Sequence, residues 1–89
     1  MKEMKEIKEK IKKLEKKKEA LIIAIPREEA SLHFYQDLAL STEEESSKEM
    51  FTELAQQEIE HKIKLETMIK ELQESIDKLK AEQKRLTNK

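Results

Sequence analysis

The chain has no cysteine, so neither a disulfide framework nor a thiolate metal site can brace it. It has no glycine either, which argues against tight glycine turns, phosphate-cradling glycine loops and hairpin sheets. Pro26 is the sole proline. Long apolar runs are missing. The longest, Ala20 to Ile25, is far too short for a signal-peptide core or a membrane span, so the cytoplasm is the expected compartment. A large excess of positive charge is missing too. The net charge of −1 argues against a general nucleic-acid binder.

What remains is mostly lysine and glutamate. Charged residues outnumber hydrophobic ones, 44% against 36%, which fits long helices or a coiled coil better than an ordinary globule. A single domain of 89 residues with so much charge cannot bury a large core alone. It must self-associate or stay partly disordered. The charge is also segregated. Residues 1–19 carry +4, residues 42–60 carry −6 and residues 61–89 carry +3. The middle of the chain is acidic and both ends are basic.

The apolar residues recur at helical spacing. Met4, Ile7, Ile11 and Leu14 lead through a break at Lys18 to Leu21, a heptad seam. Leu65, Ile69, Leu72, Ile76 and Leu79 continue through a break at Gln83 to Leu86 in the same way. No stretch alternates with the period of a strand. Ser41-Thr42-Glu43-Glu44-Glu45 reads as a turn and a helix start, with a capping box from Ser41 and Glu44 or from Thr42 and Glu45. Pro26 predicts a kink or short irregularity rather than a new helix, because the heptad phase runs on from Leu21 and Ile25 to Leu32.

The simplest all-α architecture is one antiparallel helical hairpin over residues 1–89, turning near residue 42. Equidistance from that turn places Ile7 opposite Leu79, Ile11 opposite Ile76 and Leu14 opposite Leu72. Each arm would be ~60 Å long. Two helices leave half their apolar surface bare, so a second chain is expected to cover it and complete a four-helix bundle.

Three polar residues interrupt the stripe meant for this core. The inward phase passes Leu21, Ile25, Glu28, Leu32, Tyr35 and Ala39 on the first arm, and Leu54, Glu58, His61, Leu65 and Leu72 on the second. A buried carboxylate is costly unless paired or bound to a metal. Glu58 and His61 form Glu-x-x-His, one helical turn apart on one face, and Glu28 lies at about their height on the other arm. A Glu from each of two helices and Glu-x-x-His from each of two others is the ligand set of di-iron carboxylate bundles. One chain holds half of it and two chains hold all of it. Oxygen and imidazole donors without thiolate suit iron or manganese. The alternative is a structural polar layer inside a coiled coil. Tyr35 reads either as core packing or as a partner that orients a ligand carboxylate. His33, Glu29 and Glu60 fall on the outward phase.

At these residues the chain resembles the ferritin-like superfamily, rubrerythrins included. Glu28-Glu29-Ala30-Ser31-Leu32-His33-Phe34-Tyr35 followed by Leu38-Ala39 looks like its first metal-binding helix, with a Glu seven residues before a Tyr. Phe51 to His61, with Leu54-Ala55-x-x-Glu58-x-x-His61, looks like its second. The resemblance covers about residues 20–70, leaving 1–19 and 71–89 as coiled-coil extensions. It includes one hairpin of a full ferritin and is similar to the encapsulated ferritins, two-helix chains that rebuild the bundle by dimerising.

The resemblance implies a non-haem di-iron centre at a subunit interface. Glu28, Glu58 and His61 would be both its ligands and its catalytic residues, and Tyr35 would support them. Glu58 would bridge, Glu28 would be terminal and His61 would supply nitrogen. The implied activity is ferroxidase, in iron handling or protection from oxidative stress. The implied partners are a second copy of the chain in a homodimer or a higher oligomer of dimers, with an encapsulating shell or an electron donor beyond it. A rubrerythrin-like peroxidase and a metal-free coiled-coil oligomerisation module are the alternatives. The chain departs from rubrerythrins in lacking a rubredoxin-like cysteine site. Its tail, Arg85-Leu86-Thr87-Asn88-Lys89, does not look like an encapsulin cargo peptide.

Overall fold

The computed structural model describes residues 2–88. Two helices account for nearly all of them: α1 over Lys2–Ser41 and α2 over Glu45–Thr87. They pack along their length into an all-helical hairpin about 69 Å long and 14 Å thick. No strand occurs among the described residues. No helix among them is long and apolar enough to cross a membrane. The helical phase, carried across the polar breaks at Lys18 and Gln83, and the lack of glycine leave the acidic turn at residues 42–44 as the one interruption between the helices.

The structure corrects the sequence expectation at the turn. No capping box forms. Glu44 is the N-cap of α2 and its side chain bonds no helix backbone. It accepts instead from the Ser46 hydroxyl at 2.7 Å, while the Ser41 hydroxyl turns back to the Leu38 carbonyl. Glu45 still places a negative charge in the first turn, where the helix dipole favours it. α1 continues through Pro26 as one helix, and no new helix begins there. Pro26 removes one backbone donor, but it lies on the exposed side, where water can reach the carbonyl left without it.

Across the hairpin, Lys18 meets Gln73, Glu28 meets His61 and Glu29 meets Lys62. Glu28 also lies beside Glu58, the pairing that equidistance from the turn predicts. The Lys18 break in the seam is filled by a hydrogen bond from its ammonium to the Gln73 side chain.

The packing is unevenly distributed. Ile7, Ile11 and Ile76 form the buried cluster, with Leu14, Leu79 and Leu86 packed against it. All six belong to the terminal half. The large exposed apolar residues are Ile22, Ile23, Phe34, Leu40, Met50 and Ile63, in the half nearer the turn, and Met68 near the middle of α2. The terminal half is thus a closed two-helix zipper, whereas the turn half has more apolar surface than two helices can cover.

Candidate metal centre

Glu28 is carried on the inward stripe of α1 by the steps Leu21, Ile25, Glu28, Leu32, and all four are half-buried. Glu58 and His61 are brought to the same height by one turn of α2. Each of the three offers one ligand atom, and these atoms all lie within 4.8 Å of one another. No other such cluster of histidine and carboxylate groups occurs among the described residues.

The cluster is under-satisfied as it stands. The Oε2 atom of Glu28 is buried and has no hydrogen-bond partner. The Nδ1 atom of His61 stands 3.5 Å away, too far for a good hydrogen bond. The Glu58 carboxyl is pushed above its ordinary 4.5, first by a hydrogen bond with Glu28, then by burial, then by the Glu28 charge. The His61 charge works the other way. Two carboxylates crowded together in this way would be relieved by a divalent cation, which would also give the orphaned oxygen a partner. Two carboxylates and one imidazole form a donor set suited to iron or manganese, so the residues present fit such an ion.

His61 departs from expectation in its exposure. Its side chain is 59% exposed, against 27% for Glu28. It lies on an open flank of α2 rather than between the two helices, so a single hairpin leaves one side of the cluster uncovered. Tyr35 is half-buried on the same stripe as Glu28 and stacks at a tilt on Phe34, with ring centres 5.5 Å apart. Among the described residues no hydrogen bond joins Tyr35 to Glu28, Glu58 or His61. His33 and Glu60 are exposed, as their phase predicts. Glu29 is less free than expected and pairs with Lys62 across the helices at 3.4 Å.

The sequence reading missed the packing role of Ala55. It assigned the inward position to Leu54, which is half-buried, whereas Ala55 is only 6% exposed. This small residue, one turn before Glu58, is buried between the helices beside the cluster. Its signal was an alanine amid long side chains, which periodicity alone does not weigh.

A family model described as rubrerythrin matches residues 19–88. Neither the curated proteins nor the solved structures gave a match. The family match includes Glu28, Glu58 and His61 together with most of the two helices that bring them into one cluster, and the chain belongs to the rubrerythrin family.

Proposed function

We propose that this hairpin is half of a di-iron centre and that two copies complete it. The reading is carried by the open cluster: a metal-type ligand set, uncovered on its His61 side, in the half of the hairpin with surplus apolar surface. Two chains with their turns at opposite ends form a four-helix bundle. It places two copies each of Glu28, Glu58 and His61 around one centre, the full set for two metal ions. The activity proposed is oxidation of ferrous iron. When bound, a ferrous pair supplies two electrons to dioxygen or peroxide and becomes ferric.

The chain's own part is to bind, orient and shield. Glu58 would contribute a second carboxylate to the ion, the bridging candidate of the pair. Glu28 contributes a terminal carboxylate whose orphaned oxygen then gains a partner. His61 contributes nitrogen from the flank that the second chain covers. Carboxylate donors tolerate both oxidation states, so the ligands need not exchange during turnover. The second chain also excludes bulk water, which strengthens each charge interaction in the site.

Glu58→Ala and His61→Ala are expected to keep the helical circular dichroism spectrum and lose rapid ferrous oxidation. Oxidation as fast as in the parent would overturn the assignment. Unchanged stability with and without iron, together with iron-free purification, would instead support a metal-free coiled-coil module.

A further inference from the structure

The proposed dimer has a geometric consequence at some distance from the metal. On α2, Met68 lies two turns from His61 on the same face. Met68 lines a concavity with Lys17, Leu21, Glu71, Leu72 and Ser75. The next concavity shares Lys17 and is lined by Lys10, Lys13, Leu14 and Leu79. Beyond the cluster, the hairpin therefore offers a step in which Leu14 and Leu79 lie among three lysines. Among the described residues, none of these lysines has a carboxylate partner within 4.0 Å.

The length of the turn half sets what reaches that step. Thr42 lies fourteen residues beyond Glu28, about 21 Å at helical rise. In a two-fold dimer centred on the cluster, the partner's turn, residues 42–45, must lie equally far in the other direction, at about residues 11–14. The partner's turn carries Glu43, Glu44 and Glu45 in succession, within the segment of net charge −6. Its landing place lies beside Lys10, Lys13 and Lys17, next to the segment of net charge +4.

We infer that the acidic turn of one chain docks on the Lys10–Lys13–Lys17 step of a second copy, once at each end of the dimer. This inference rests on the dimer proposed above and adds a contact that the metal centre does not require. The contact fixes which way round the hairpins pair and stops them from sliding. A parallel pairing would set acidic turn on acidic turn and lysine step on lysine step.

The absence of native cysteine makes the test clean. Glu44→Cys chains are mixed in turn with Lys10→Cys, Lys13→Cys, Lys17→Cys and, as the control on the opposite face of α1, Lys12→Cys. The mixtures are oxidised with glutathione disulfide, covalent dimer is scored by denaturing non-reducing electrophoresis, and native mass is followed by light scattering. A disulfide needs Cα atoms within about 7 Å, so it reports direct proximity. The expected result is a covalent heterodimer with Lys10→Cys or Lys13→Cys and none with Lys12→Cys. A dimer of correct mass that binds iron but links at none of the three lysine positions would overturn the docking contact and leave the shared metal site standing. A monomer under all conditions would overturn both. A second measurement uses charge. Glu43, Glu44 and Glu45 all changed to Lys should weaken the iron-free dimer on the order of tenfold at low salt. Mixing with chains in which Lys10, Lys13 and Lys17 are all Glu should restore it. Weakening without restoration would count against the contact.

Discussion

Ile76→Ala in the terminal zipper should be the most destabilising single truncation of the apolar seam. Ile76 is 1% exposed and sits in the centre of the buried cluster with Ile7 and Ile11. Truncation to alanine removes the equivalent of three methylene groups, about 2.4 kcal/mol at ~0.8 kcal/mol each. A cavity term adds to this, but a two-helix seam can close over the gap, so the total stays near the low end of the usual range, about 2–3 kcal/mol. For a domain of this size that lowers Tm by on the order of 10–20 °C. Ile63→Ala is the internal control. Ile63 is 58% exposed, so the same arithmetic leaves about 1 kcal/mol in the lone hairpin. The assay is urea and thermal unfolding of chelator-treated protein by circular dichroism, at concentrations low enough to hold it as one species. Equal costs for the two variants would refute the claim that stability is concentrated in the terminal half.

Three further predictions follow from the cluster and its surroundings. The raised Glu58 carboxyl means that the metal-free fold holds its proton more tightly than the unfolded chain does. The associated stability is complete below 4.5 and is lost as pH rises through the raised value. Metal-free Glu58→Gln should therefore gain on the parent between pH 4 and pH 7 in unfolding experiments, and a gap that narrows with rising pH would mean that Glu28 and burial do not raise the Glu58 carboxyl. Saturating ferrous or manganous ion should reverse that order, because the parent binds the ion and the Gln variant does not. Ala55→Leu should cost about 1–3 kcal/mol by overpacking the close approach beside Glu58, and it should weaken metal binding as well. A variant that melts with the parent and titrates identically would show that the approach is not tight.

Much of this architecture could be read from sequence because helices in a hairpin obey one periodicity from end to end. The steps from Ile7 to Leu14 and from Leu65 to Leu79 define two seams, and the acidic turn is the one place where both phase and composition change. The convergence of Glu28, Glu58 and His61 follows from the same phase, since each interrupts an otherwise apolar stripe. The cap did not follow, since Ser41 and Thr42 have the residue types of a capping box but Glu44 takes the position. The exposure of His61 depends on which flank of α2 stays open in a lone hairpin, and spacing along one helix does not reveal that.

The shared site is tested most directly by an anaerobic ferrous titration on protein of known mass, followed by oxygen. The account predicts saturation at about one iron per chain, in a dimer or a multiple of dimers, with fast oxidation when oxygen is admitted. Saturable binding to a fully helical monomer, or no saturable binding at all, would contradict it.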